Sequence, residues 1–401
     1  MNIYEYIHGP FIDLNVYSFL VFLIIILIIL SYAYIKIKYR FWSIQPVFHI
    51  YNIYYWVFPP GLIDHKLPEK NKFVNTSNIL FRDFSVSSKK MIKYTTNLIQ
   101  DHYLKIKDAH YNPKEKNIVP YFKGHSDPCF LSTYFYKDPL DNKEIVGTMT
   151  SRPLFIKLYK QKMNVYYVDH LCVHSGYRKK GIAPELIQTH NYFQCRANKK
   201  IPCSLFKKET DLTGIVPLTI YKTYCFDMKD WKQNYKLHDS IQVIEISSKN
   251  IHLLYDFLNK IMDSNKFACF IMPSLGNIQS LIESKNIFVY ISLQKGEILS
   301  VYFFRDSSLT YNKVGVIECF CTISNINDNH MFVYMFSEAL RKLMKEIKSI
   351  RYLLLENNSD TKEIVVNIMS KYKPSFESPT AYYLYNYGVR PIEEFRACII
   401  N

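Results

Sequence analysis

Glycine and arginine are scarce in this chain. With 11 Gly and 17 Pro in 401 residues, collagen-like and low-complexity architectures are excluded. Of 50 basic residues only 10 are Arg, and the 40 Lys are scattered along the sequence. Nucleic-acid readers rely on Arg forks and clustered basic faces, so the formal charge of +15 reads as a solvated surface and no nucleic-acid partner is expected. The nine Cys have neither a C-x-x-C pair nor framework spacing, which predicts reduced thiols in a cytosolic main body. Cys319 and Cys321 alternate as strand residues do and are expected to point the same way. No Gly-Lys-Ser/Thr phosphate loop is present, and no zinc-spaced ligand set, so no metal is expected. What the chain does have is apolar bulk: 48% hydrophobic against 21% charged rules out a mainly disordered protein. The length suits two packed domains or one duplicated one.

Leu14 to Ile35 is a run of 22 residues without a charge. As a helix it spans about 33 Å, enough for the hydrocarbon core of a bilayer. Asp13 precedes the run, and Lys36, Lys38 and Arg40 follow it, so the carboxyl-terminal side is expected in the cytosol and residues 1–13 in the lumen or exterior. A cleaved signal peptide fits less well, because the basic residues come after the run and no A-x-A-like site follows. A buried core helix would carry one apolar stripe, whereas this run is apolar all round.

Residues 36–80, rich in Trp, Tyr, Pro and Phe, read as an arm. Helices are predicted over Ser87–Tyr103, Ile182–Arg196, Asn250–Met262 and His330–Ile347. Strands are predicted over Cys129–Tyr136, Glu144–Arg152, Val165–Val173, Phe288–Leu293, Glu297–Arg305, Lys313–Ile323, Arg351–Glu356 and Ala381–Tyr387. Residues 104–128 read as loop. Each half mixes strands and helices, as an α/β or α+β fold does.

One stretch carries chemistry. Val165–Val173 is an apolar strand that runs into a turn containing Arg178-x-x-Gly181-x-Ala183, and then into a helix with Pro184 in its first turn. Such a turn aims backbone N–H groups and the positive end of a helix dipole at one point. Gly181 and Ala183 let an anion approach the backbone, and Arg178, Lys179 and Lys180 add charge. A diphosphate is the natural ligand. The pattern resembles the acyl-CoA loop of GNAT-type acyltransferases.

Three segments narrow the resemblance. Tyr39-Arg-Phe-Trp-Ser-Ile-Gln-Pro-Val47 is similar to the Tyr-Lys-Phe-Trp-x-Thr-Gln-Pro-Val segment of eukaryotic N-myristoyltransferases. Leu171-Cys-Val-His174 with Ala183-Pro184-x-Leu-Ile187 resembles that family's core, and Tyr382-Tyr-Leu-Tyr-Asn-Tyr387 its late strand. The likeness covers roughly residues 39–401. It implies a mixed α/β, duplicated GNAT fold with a saddle-shaped sheet, preceded here by one transmembrane helix over 14–35 and an arm over 36–80. The halves would be 81–236, binding acyl-CoA, and 237–401, binding peptide. Myristoyl-CoA is the implied co-substrate and a protein or peptide with amino-terminal Gly the implied partner of a monomeric enzyme.

Position by position, the resemblance implies cofactor contacts at Tyr39, Arg40, Phe41 and Trp42, at Leu171, Cys172 and Val173, and at Arg178, Lys179, Lys180, Gly181, Ile182, Ala183 and Pro184. The backbone N–H groups of His170 and Leu171 would polarise the thioester carbonyl. The α-carboxylate of Asn401 would be the base, as the family uses its own carboxyl terminus. Tyr103, Asp108, Tyr383, Tyr385 and Asn386 would face the peptide. His170 and His174 are expected to be packed or solvated rather than basic or metal-binding. The chain also departs from the pattern. The family's acidic Tyr-Val-Glu-Asp-Asp loop is Tyr103-Leu-Lys-Ile-Lys-Asp108 here. Its His after Cys-Arg-Tyr has no counterpart near Tyr221–Phe226, and Ser375–Pro379 replaces Gly-Asp-Gly. Asp169 stands for an Asn, and Gly181 for a basic residue. A non-catalytic acyl-CoA-binding membrane scaffold, or an acetyltransferase acting on Lys or small amines, are the competing readings.

Overall fold

The computed structural model describes residues 5–103, 105–106, 109–137, 143–209, 214–229, 231, 237–347 and 349–401, with side chains from residue 16 on save those of 105, 106, 137 and 143. Of helix α1 (Glu5–Lys38), the portion from Val16 on is apolar all round and largely uncovered up to its carboxyl-terminal end, where Tyr32 and Lys36 meet the arm and Ile35 meets Gly214. The arm follows, with a short α2 (Tyr54–Val57) and strand β1 (Gly61–Leu62).

The first half then runs through β2 (Ile79–Asp83), α3 (Lys89–His102), β3 (Lys105–Ile106), β4 (Ala109–Tyr111) and α4 (Glu115–Ile118). A meander of β5 (Phe130–Lys137), β6 (Lys143–Leu158) and β7 (Gln161–Val173) leads into α5 (Ile182–Ala197) and β8 (Ser204–Lys208). Strand β9 (Thr219–Asp227) closes this half. The second half starts with β10 (Ile241–Glu245), α6 (Ile251–Asp263), β11 (Cys269–Met272) and α7 (Leu275–Glu283). A second meander, β12 (Ile287–Gln294), β13 (Glu297–Tyr311) and β14 (Val314–Ser324), leads into α8 (Asn329–Glu346) and β15 (Ile350–Glu356). Then come α9 (Thr361–Met369), β16 (Phe376–Tyr385), β17 (Tyr387–Gly388) and β18 (Ala397–Ile399).

The two meanders repeat one design. Strands β5, β6 and β7 pair antiparallel, α5 crosses over, and β8 lies parallel to β7. Strands β12, β13 and β14 do the same, with α8 as crossover and β15 parallel to β14. The closing strands are exchanged: β9 pairs with β15 of the second half, while β16 pairs with β8 of the first, and β9 and β16 pair with each other. One mixed sheet of 16 strands results among the described residues. Helices cover both faces, because the strands are apolar on both. Leu98 and Ile99 of α3 pack opposite Ile182 and Leu186 of α5. In the second half Phe336 and Ile364, from α8 and α9, bury one face, and Leu258 and Leu281, from α6 and α7, the other.

Each predicted helix and strand has its counterpart, with ends shifted by a few residues. Pattern reading missed β2, β8, β9, β10, β11, α7, α9 and β18, and residues 104–128, expected as loop, carry β3, β4 and α4. Strands β11 and β18 are three or four residues long and buried throughout, so they show no alternation. Cys319 and Cys321 do not point the same way. A bulge pairs Cys321 with Phe303 and Cys319 with the adjacent Phe304, so Cys319 joins the α8 face and Cys321 the α6 face. The nine thiols are free and buried.

The halves also touch at two glycines. A Cβ on Gly276 would sit 2.7 Å from the carbonyl oxygen of Gly124, which has φ +71°. Gly276→Ala is therefore expected to destabilise the chain by about 1–3 kcal/mol, the usual range for overpacking, seen as a lower urea midpoint. An unchanged midpoint would show that this contact yields freely.

Candidate active site

Strands β7 and β8 stay in register over three pairs only, ending at Val168 and Phe206. Beyond that point they separate. Asp169–Leu171 on one side and Lys207–Glu209 on the other line a single cavity of about 1040 Å³, at the upper end for small-molecule sites. Met149, Val168, Leu171, Ile187 and Phe206 give its α5 side an apolar wall, and Tyr111, Asp306 and Glu377 lie along its second-half side.

The opening is accompanied by a bulge in β7. Thr148 pairs with Cys172 and Thr150 with Asp169, so His170 and Leu171 together face Met149. His170 takes φ 51°, and the extra residue leaves main-chain donors outside the ladder. The His170 N–H donates to Asp169 Oδ1 at 2.7 Å. Thr150 Oγ1 donates to the Asp169 carbonyl at 3.0 Å and also lies 3.0 Å from His170 Nδ1, so the imidazole donates from Nδ1. Burial lowers the His170 pKa and the Arg152 charge acts the same way, against Asp169. The ring is packed against the cavity wall. Burial would raise the Asp169 pKa, but His170, Arg152 and Arg305 outweigh it and the carboxyl is held low.

The chain's last residues enter this site as a strand. β18 pairs parallel with β11, and the Ile400 N–H donates to the Ile271 carbonyl at 2.8 Å. Cys398 and Ile400 pack on one face of the sheet and Ile399 on the other. Asn401 is 6% exposed. Its main-chain oxygen accepts from Arg305 Nη1 at 2.9 Å, and its Oδ1 from Arg152 Nη2 at 2.5 Å.

Arg305 is the hub of a buried charge network. Its Nε donates to Glu318 at 2.5 Å and its Nη2 to Glu356 at 3.0 Å. Lys207 bridges Glu356 and Glu209, each at 2.8 Å, and the Tyr221 hydroxyl donates to Glu356. The two carboxyls titrate as a pair. Burial opposes ionisation of Glu318, but Arg305 and Lys207 hold it well below the usual range. Burial and the charge of Glu318 push Glu356 up to about 7, against Lys207 and Arg305.

Arg152 is 2% exposed and lies between the rings of Tyr121 and Tyr167, 5.0 Å from each. Its Nη1 has no hydrogen-bond partner among the described residues, an orphan charged donor in the cavity wall. Pattern reading missed Arg152, Arg305, Glu318 and Glu356. Glu318 is the single charge of the apolar strand β14 and was a signal in the sequence, whereas Arg152, Arg305 and Glu356 share their strands with other charges.

The segment after β7 has the predicted strand–turn–helix shape, and of Arg178–Pro184 it is Arg178 that lines the cavity. Gly181, at φ 82°, caps α5, and nothing lies within 4 Å of where its Cβ would be. Lys179 is also left-handed, at φ 63°. Arg178 is tied to main-chain carbonyls, with Nε on Val173 at 3.2 Å and Nη2 on His102 at 2.5 Å, and Lys180 covers the Tyr177 ring at 4.7 Å. His174 caps the turn by accepting from the Gly176 N–H at 3.1 Å. Ile182 is buried, and Ala183 and Pro184 are half-buried in the first turn of α5.

Of the arm, Trp42 lines the cavity and stacks on Phe206 at 5.5 Å. Phe41 packs between Trp42 and Phe73, Tyr39 against Gly214, and Arg40 is exposed. The Cys172 thiol turns to the Leu98 carbonyl at 3.6 Å, and burial pushes it up to about 12. Tyr103 and Tyr385 line the cavity, and Tyr385 donates to Gln45 at 2.7 Å. Tyr383 stacks on Phe206 at 5.3 Å. Asn386 is spent on the arm, exchanging hydrogen bonds with the main chain of Asp64 at 2.8 and 2.9 Å. Asp108 lies outside the described residues. No group of three or more His, Cys, Asp or Glu suited to a metal is found among the described residues.

Residues 65–192 match the family model for the amino-terminal domain of myristoyl-CoA:protein N-myristoyltransferase. A Saccharomyces cerevisiae N-myristoyltransferase structure with bound myristoyl-CoA superposes with a TM-score of 0.68 at 15% identity, over 88% of this chain and 89% of that one. This is the N-myristoyltransferase fold. A second Saccharomyces cerevisiae N-myristoyltransferase structure, with myristoyl-CoA and inhibitors, gives 0.68 at 14% identity, over 90% and 95%. A tandem GNAT protein from the clavulanic acid pathway gives 0.52 at 9% identity, over 76% and 98%. No curated protein sequence matches. The family match to the N-myristoyltransferase amino-terminal domain bears out the resemblance read from the motifs, and supports an acyltransferase that draws on acyl-CoA.

Arg152→Met removes a charge-assisted bond to Asn401, worth about 1.5–3 kcal/mol. Turnover is expected to fall roughly ten- to hundred-fold by that arithmetic, with Arg152→Lys recovering part of it. Steady-state kinetics of both variants check this, and wild-type turnover in Arg152→Met would remove Arg152 from the site.

Proposed function

We propose that the chain transfers a myristoyl or related acyl group from acyl-CoA to the amino-terminal glycine amine of a protein, at the cytosolic face of a membrane that α1 crosses. The observation that carries this reading is the entry of Asn401 into the same cavity as the bulged His170–Leu171 amides. The diphosphate rests on the turn of Arg178–Pro184 and the α5 amino terminus. The acyl chain follows the apolar wall of Met149, Val168, Leu171 and Ile187, with Trp42 and Phe206 beside it.

The acceptor amine attacks the thioester carbon, and the carbonyl electron pair moves onto oxygen. That oxyanion takes hydrogen bonds from the bulge amides, the His170 N–H exchanging Asp169 for substrate. The Asn401 carboxylate, held by Arg305, accepts the amine proton. Collapse re-forms the carbonyl, breaks the C–S bond and releases CoA, whose thiolate takes up the proton. The sequence departures over Tyr103–Asp108 and Ser375–Pro379, where only Asp108 and Glu377 keep an acid, fit an acceptor other than the usual basic peptide. Running from Asp13 to Lys36, the uncharged helix fits an anchor, which keeps the enzyme where a singly lipidated product binds only marginally.

Amidating the carboxyl terminus of the intact chain removes the base while leaving a carbonyl oxygen for Arg305 to hold. Turnover with Gly-initial peptides is expected to fall by roughly 10²–10⁴, the usual worth of a general base, while myristoyl-CoA binding holds. Absence of transfer in the unmodified chain, despite tight acyl-CoA binding, would leave a lipid-binding scaffold instead.

A further inference from the structure

The segment after α1 is apolar on its outside. Ile53 is 72% exposed and Val57 66%, and Ile50, Tyr54 and Phe58 each expose more than half of their surface. Soluble surfaces scatter such residues singly, whereas these five come from nine consecutive positions. The display is rigid. The Tyr54 and Phe58 rings stack at 4.8 Å, and Trp56 donates from Nε1 to the Ile50 carbonyl at 3.0 Å. From below, Tyr55 packs on Phe48 at 5.7 Å and donates to the Leu62 carbonyl at 3.0 Å.

This surface is fixed beside the carboxyl-terminal end of α1. The Tyr32 ring of α1 meets the Tyr51 ring at 4.9 Å, and Lys36 Nζ donates to the Ser43 carbonyl at 3.3 Å. Ile35 and Tyr39 both pack at Gly214. The charge pattern is one-sided as well. No acidic residue occurs between Asp13 and Asp64, while Lys36, Lys38 and Arg40 fall inside that stretch.

We propose that Ile50–Phe58 is a second lipid contact, in which Ile53, Val57 and their neighbours insert into the interfacial zone of the leaflet where α1 ends. Lys36, Lys38 and Arg40 then meet anionic headgroups, and Tyr54 and Trp56 sit at headgroup depth as interfacial aromatics do. The inference rests on reading α1 as a membrane anchor. A single helix would leave the domain free to swing, and two contacts fix its orientation. Because the same arm carries Trp42 onto Phe206 in the cavity wall, the arm side of the acyl site is then held against the bilayer.

The nine native thiols are buried, so introduced cysteines take a nitroxide label selectively. Full-length Ile53→Cys, Val57→Cys and, as control, Val366→Cys on α9 are reconstituted in phosphatidylcholine–phosphatidylserine vesicles. Labels at 53 and 57 are expected to lose contact with a water-soluble nickel chelate several-fold and to gain contact with oxygen, while the label at 366 stays open to the chelate. Equal chelate access at 53, 57 and 366, in a chain that resists alkaline carbonate, overturns the second contact and leaves the anchor standing. A chain that carbonate strips from the vesicles overturns the anchor reading, and this inference with it.

Discussion

The architecture of the site depends on where the charge of Arg305 is spent. One guanidinium, on β13, holds Glu318 of β14, Glu356 of β15 and the main-chain oxygen of Asn401. Burying any of these acceptors alone would be costly, and burying them around a single fork satisfies all three. The pairing joins the second-half meander to its parallel neighbour and draws the chain end into the opening between β7 and β8. Lys207 extends the network to the first half through Glu356. The charges that position the tail thus also tie the two halves together across the site.

Around that hub the cavity combines two kinds of anion chemistry. At one end Arg178 brings the turn that leads into α5 to the cavity wall, and on the proposed function the main-chain donors of that turn suit a group bound in every turnover. In the centre stand an orphan guanidinium nitrogen on Arg152 and a bulged strand, which suit charge that appears only transiently. Asp169 complicates the centre, since its carboxylate already takes the His170 amide. It is held ionised by neighbouring positive groups, so the site carries its own competitor for the amide that the substrate oxygen would use.

Much of this was legible in the sequence where the determinants are local. The strand–turn–helix around Gly181 announces itself because a left-handed glycine and a helix start are set by adjacent residues. Trp42 came from the resemblance of the contiguous Tyr39–Val47 segment to that of the N-myristoyltransferases. Arg152 was not legible, because its partner Asn401 is 249 residues away and nothing near residue 152 hints at it. Glu356 closes an apolar strand and looks like an ordinary strand end until Lys207, Tyr221 and Arg305 converge on it. The two cysteines near residue 320 failed for a different reason: a one-residue bulge inverts the alternation on which the inference rested.

The exchange of β9 and β16 between the halves has a consequence for how the molecule comes into being. Each half builds its own meander and crossover helix, yet the strand that seals each open edge is supplied by the other. A nascent amino-terminal half would emerge with the outer edge of β8 unpaired, an invitation to mispairing until residues far downstream are synthesised. Contacts of such long sequence separation fold slowly. What looks like two copies of one unit is in folding terms indivisible, and truncation at the midpoint would yield not a smaller enzyme but an aggregation-prone sheet.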